Sequence, residues 1–191
     1  MSASRLGKQI SFLREIEKLK GVLRVNRTVD GRFENSAEHS WHVALMALLL
    51  EEHASNRIDM LRVVKLLLIH DLVEIDAGDT WLYETDQDSK AEAEKQAAYR
   101  LYSLLPESQK DEYIKLWDEF ETRSSEEAKF ASVIDGIQPL LNHVVTGKIE
   151  DGVIPLEKVR SKKAYISQFS PKLWVLVEEL IEESVNKGLY E

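Results

Sequence analysis

The chain has 191 residues, 43% of them hydrophobic, which is enough for one domain with a sizeable core and too apolar for a disordered chain. A net charge of −9 argues against a protein that coats nucleic acid or an anionic membrane, so neither partner is expected. Cysteine is absent, which excludes disulfides, thiolate zinc sites and thiol nucleophiles and fits a reducing, cytoplasmic setting.

Residues 1–10 lack the apolar segment of a secretory signal, and the longest apolar run, 43–50, is too short to span a bilayer. Ile10, Leu13, Ile16 and Leu19 recur about once per turn and predict a first helix, stopped by Gly21. The next stretch, VLRVNRTVDGRFEN, carries Arg24, Arg27 and Arg32 and an Asp30-Gly31 turn signal. It reads as a loop or irregular hairpin with its arginines on solvated surface. Asn35 is an N-cap, and Glu38 three residues on makes a capping-box variant for a helix over 36–52. His39 shares an apolar stripe with Val43, Met46 and Leu50, where a lone histidine is ordinarily a hydrogen-bonded core residue. His42 lies on a different edge with Leu45 and Leu49, and His53, beside Glu51 and Glu52, is expected to be exposed.

The stretch 66–79, LLLIHDLVEIDAGD, organises the rest. A helix from Ile58 or Asp59 to about Glu74 places Leu67, His70, Asp71 and Glu74 at i, i+3, i+4 and i+7, on one face. Gly78 then permits a turn that swings Asp79 back towards that face. Trp81 and Tyr83 follow in a loop and either stack on a ligand base or close the core. A polar helix starts near Asp88, Pro106 punctuates it, and another amphipathic helix covers 107–121, both with solvated charged faces. Ser124 with Glu127 forms a capping box that opens the helix carrying Asp135. Asp135 shares a face with Ala131, Ile134 and Gln138, where it is either a hydrogen-bonded structural residue or a metal ligand. His143 is read as structural. Residues 147–155 form a loop, and Lys158, Arg160, Lys162 and Lys163 a solvated basic patch. Ser170-Pro171 starts a last helix that is apolar on one side. No repeat or linker interrupts the pattern, so one all-α domain of seven or eight helices is expected over 1–191.

Taken together, His39, His70, Asp71 and Asp135 supply two imidazoles and two carboxylates from three helices. This borderline-to-hard set suits a divalent ion such as Mn, Co, Ni, Fe or Zn, with Mg also open. Such an ion lowers the pKa of a water and polarises a phosphoryl oxygen. Glu74 is placed to act as general base, and Asp79 to protonate a leaving alkoxide or bind a sugar hydroxyl. HDLVE is not the H-E-x-x-H of a zincin, and no P-loop or Rossmann glycine motif occurs.

The pattern H…HD…D on an all-helical chain resembles the HD-domain superfamily of metal-dependent phosphohydrolases. ENSAEHSWHVALMALLL, LLLIHDLVEIDAGDT, LLPESQKDEYIKLWDEFE, SSEEAKFASVIDGIQPLLN and VNKGLY further resemble its small 5′-deoxynucleotidase-like branch. The resemblance implies that His39, His70, Asp71 and Asp135 are metal ligands and that Glu74 and Asp79 are catalytic or substrate-contacting carboxylates. Arg24, fifteen residues before His39, matches an arginine on the substrate phosphate. The implied reaction is hydrolysis of deoxyribonucleoside 5′-monophosphates to nucleoside and phosphate by a homodimer, with the apolar last helix a candidate interface. Val25 stands where best-understood members carry a bulky aromatic against the sugar 2′ position, so the expectation is a phosphomonoesterase with ribose and deoxyribose both open. The chain after Asp79 also differs, leaving base preference open. Two other readings stay open: an HD-type hydrolase of another phosphate ester, phosphodiester or pyrophosphate, and a non-catalytic helical interaction module.

Overall fold

The computed structural model describes residues 4–79, 87–148 and 153–191; Trp81, Tyr83 and part of the 147–155 loop lie outside these. Eight helices of eight or more residues are present among the described residues: α1 (Arg5–Ile16), α2 (Ser36–Leu50), α3 (Met60–Ile69), α5 (Gln87–Tyr102), α6 (Glu107–Thr122), α7 (Glu126–Thr146), α8 (Leu156–Lys163) and α10 (Pro171–Asn186). Two short ones, α4 (Glu74–Ala77) and α9 (Tyr165–Phe169), complete an all-α architecture. Val63, Leu66 and Leu67 of α3, Ala131, Val133 and Ile134 of α7, and Val177 and Ile181 of α10 are fully buried, so these three helices form the centre of the core.

Residues 22–35 form the irregular hairpin: β1 (Leu23–Arg27) pairs antiparallel with β2 (Phe33–Asn35), with a register shift between Leu23 and Arg27. Gly31 turns it at φ 89°. The Asn35 cap is a full capping box, its Oδ1 accepting the Glu38 N–H at 3.0 Å while Glu38 Oε1 accepts the Asn35 N–H at 2.7 Å.

Several sequence expectations change. The central helix is not continuous to Glu74: α3 ends at Ile69, and His70–Val73 winds as a 3₁₀ turn before α4. Two side chains cause this, since His70 Nδ1–H donates to the Leu67 carbonyl (2.9 Å) and the Tyr102 hydroxyl to the Ile69 carbonyl (3.1 Å). Both carbonyls are thereby drawn away from an unbroken i→i+4 ladder. The cap of α7 is Ser125, which accepts the Ala128 N–H, rather than Ser124; Glu127 instead accepts the Asp59 N–H. His53 is half-buried rather than exposed, its carbonyl accepting from Ser170. Lys163 is not solvated but 4% exposed, on a stripe with buried Val159 and Ile166. One side of α10 packs into the core through Leu173, Val177, Leu180 and Ile181, while Val175 and Val185 stay exposed.

Candidate active site

Four segments converge on one cleft. The start of α2 brings His39, the α3–α4 junction brings His70, Asp71 and Glu74, the middle of α7 brings Asp135, and β1 brings Arg24. His39, His70 and Asp135 each offer a ligand atom, and these atoms lie within 4.8 Å of one another. His39 Nε2 is 3.0 Å from Asp135 Oδ1, and His70 Nε2 is 3.6 Å from the same oxygen. Asp71 spans the pair, Oδ1 at 3.1 Å from His70 Nε2 and Oδ2 at 3.7 Å from His39 Nε2. All four sequence-derived ligand candidates therefore meet, with Asp71 Oδ2 also held by Arg24 Nη1 at 2.8 Å. His39 is fully buried, whereas 31% of the Asp135 side chain faces solvent, so the cluster opens on the Asp135 side.

The imidazoles are oriented from behind. Gln138 accepts from His39 Nδ1–H at 3.1 Å and donates its amide to Glu34 Oε1 at 2.8 Å, which fixes both the amide orientation and the histidine tautomer. His70 Nδ1 is likewise committed to the Leu67 carbonyl. Both Nε2 atoms thus face carboxylate oxygens, and His70 Nε2 is buried without a hydrogen bond. Such a set calls for a cation, either a proton or a metal. Burial lowers the His70 imidazolium, but Asp71 and Asp135 outweigh it and raise it to about 9. Burial pushes Asp135 up, yet the hydrogen bond from His39 and the nearby charge of His70 hold it well below the usual carboxylate range. The donor set, its tautomers and the orphaned Nε2 all fit a divalent ion.

Beside this cluster, Glu74 receives a buried hydrogen bond from the Ser36 hydroxyl at 2.5 Å. Burial, together with Asp71 and Asp79, pushes its carboxyl up to about 9 against the opposing pull of Arg24. Gly78, at φ 75°, makes the sharp exit from α4 that turns Asp79 inward, 3.6 Å from Arg24 Nη1. Arg24 is encircled, with Glu74 Oε1 also at 3.6 Å and Glu34 Oε2 at 3.7 Å from its Nε. Burial works against its charge, but these carboxylates keep it firmly protonated.

Glu34 and Ser36 were not singled out in the sequence, Gln138 was seen only as a neighbour of Asp135, and Lys163 only as part of a solvated basic patch. Glu34, the buried middle residue of β2, had no local signal, since its partner Gln138 lies on α7. Of the other histidines, His42 touches the network only at 3.4 Å from Gln138 Nε2. His143 is structural, donating from Nε2 to Asn26 Oδ1 (3.1 Å) and accepting the Tyr190 hydroxyl at Nδ1 (2.7 Å). Arg32 is an exposed partner of Glu38, and Arg27 stacks on Phe33.

The family model of the HD domain matches residues 16–174, and the chain belongs to that family. The mouse protein named 5′-deoxynucleotidase HDDC2 is 32% identical over 179 residues, covering 91% of this chain and 87% of its own. Its bovine namesake is 33% identical over 179 residues, covering 91% and 84%. A solved structure from Magnetospirillum magnetotacticum MS-1, called a predicted metal-dependent phosphohydrolase, superposes with a TM-score of 0.89 at 44% identity over 97% of this chain and 98% of that one. No described helix is long and apolar enough to cross a membrane.

Proposed function

We propose that the chain is a single-domain, cytoplasmic, homodimeric 5′-nucleotidase of the HD family, hydrolysing (deoxy)ribonucleoside 5′-monophosphates to nucleoside and phosphate. The observation that carries the reading is the convergence of His39, His70, Asp71 and Asp135 beside Glu74, Asp79 and Arg24, in a relative of proteins named 5′-deoxynucleotidase.

In this reading His39, His70, Asp71 and Asp135 hold a divalent ion, and Mn, Co, Ni, Fe, Zn and Mg are all admissible. When bound, the ion supplies Lewis acidity that lowers the pKa of a water and polarises a phosphoryl oxygen. Gln138 and Glu34 keep His39 in the tautomer that presents Nε2. Glu74 takes the proton of the attacking water; its place beside the cluster and its Ser36 hydrogen bond suit a positioned base. Asp79, within reach of Arg24, protonates the leaving 5′ oxygen or fixes a sugar hydroxyl. Arg24 orients the phosphate against the carboxylates. Val25 follows it where best-understood members carry a bulky aromatic, so ribose and deoxyribose are both open as the sugar.

The test is phosphate release from ribo and deoxy 5′-monophosphates of all bases, after EDTA and after each metal is added back. Hydrolysis that EDTA abolishes and a divalent ion restores is the expected result, and the ribo/deoxy ratio settles what Val25 does. Activity indifferent to EDTA, or directed only at diesters or pyrophosphates, contradicts it.

A further inference from the structure

Lys163 ends α8, and its side chain is only 4% exposed. Its side chain makes no hydrogen bond or ion pair among the described residues, and its Nζ is not sealed from solvent. An ammonium on an otherwise buried side chain, with no carboxylate paired to it, is open to pairing with an anion. Its location is fixed by the helix that follows. The Tyr165 hydroxyl donates to the Ser132 carbonyl at 2.9 Å, and Arg123 stacks on the Tyr165 ring at 4.1 Å. Glycine at position 136 is what lets this happen, because a Cβ there would collide with the Tyr165 hydroxyl and press on Ile166. Tyr165 and Ile166 are thereby docked on α7 at the turn that carries Asp135, two and three residues after Lys163. The charges Lys163 faces there are Asp135, Arg24 and Arg123, and its own charge is felt by His143 one and a half turns beyond Gln138.

The charge balance of the cleft gives this cation a task. Asp71, Glu74, Asp79 and Glu34 all crowd Arg24, whose Nη1 is already bonded to Asp71. A phosphate monoester dianion entering such an acidic site needs a donor that the carboxylates have not claimed. Lys163 has three N–H donors and no described partner.

On the reading that the site hydrolyses phosphate monoesters, we propose that Lys163 is a second phosphate-binding residue, reaching the substrate from the α8 side while Arg24 reaches it from β1. It sets affinity for the substrate and for the phosphate product, and it belongs to the substrate subsite rather than to the metal set.

The test is calorimetric titration of inorganic phosphate into metal-loaded wild type, Lys163→Met and Lys163→Arg, with KM, kcat and bound metal measured on the same preparations. Loss of one charge-assisted contact predicts about a ten-fold or greater weakening of phosphate binding and a comparable rise in KM in Lys163→Met. Bound metal stays at the wild-type level, and Lys163→Arg recovers part of the affinity. Phosphate affinity and KM within two-fold of wild type in Lys163→Met, whatever its melting temperature, would overturn the assignment. So would loss of metal together with phosphate, which would place Lys163 in the metal set. A wild type that neither binds phosphate nor hydrolyses a monoester overturns the underlying phosphoesterase reading, and this proposal with it. A fully active wild type with an unaffected Lys163→Met overturns the role of Lys163 alone.

Discussion

His143 shows how a buried histidine is kept out of the chemistry. Its two nitrogens are matched to one donor and one acceptor, Tyr190 and Asn26, so the neutral ring is satisfied. Burial, with the Lys163 charge adding to it, depresses its pKa from 6.5 to about 4. The folded protein therefore resists a proton that the unfolded chain accepts below pH 6.5. Stability is complete above that pH and falls as pH drops towards 4, by up to about 3 kcal/mol for such a shift. Urea unfolding between pH 4.5 and 7 should show this loss in wild type and a flatter dependence in His143→Gln; parallel curves would contradict it. The same scale shows what one sequence can and cannot reveal. His39, His70, Asp71 and Asp135 were legible because ionisable groups on apolar stripes are rare and must be partnered. Gln138 was visible only as a neighbour of Asp135 on its face, since its task depends on Glu34 and His39, about a hundred residues away. Lys163 was hidden among Lys158, Arg160 and Lys162. Its register with Val159 and Ile166 was the one available signal, and three neighbouring cations masked it.

At the scale of elements, caps and periodicity were read well wherever the controlling contacts are local, as at Asn35–Glu38 and Ser170-Pro171. They failed where a distant side chain intervenes. The 3₁₀ turn at His70–Val73 depends on Tyr102, which comes from α5, so no local pattern announces it. That turn matters to the site, because it brings His70, Asp71 and Glu74 together from consecutive tight turns instead of one helical face. Helix α2 carries a second consequence. Its inner side holds His39, Val43 and Met46, while Trp41, Leu45, Leu48 and Leu49 form an exposed apolar stripe on the other. An exposed stripe of this kind supports α2, rather than α10, as the contact in the proposed homodimer. Trp41→Glu should halve the mass seen by sedimentation at micromolar concentration, and a monomeric wild type would contradict the proposal.

Over the whole molecule, the helices of the core serve as a frame that holds a polar cleft at the meeting of α2, α3, α4 and α7. Stability and chemistry are separated: the apolar sides of α3, α7 and α10 face one another, and the ionisable groups line one edge, open at Asp135. The all-α architecture followed from periodicity and capping across the chain, and the family from four motif positions in order. The docking of α9 on α7 did not follow, because it depends on contacts about thirty residues apart. The central claim is that one residue set holds the ion and another acts on water, and a single comparison separates them. Bound metal and phosphate release would be measured on the same preparations of wild type, Asp71→Ala and Glu74→Gln. Asp71→Ala should lose metal and activity together. Glu74→Gln should keep its metal while turnover falls by about 10²–10⁴-fold, the usual weight of a positioned base. An Asp71→Ala protein that retains both metal and activity, or a Glu74→Gln protein that turns over like wild type, would contradict it.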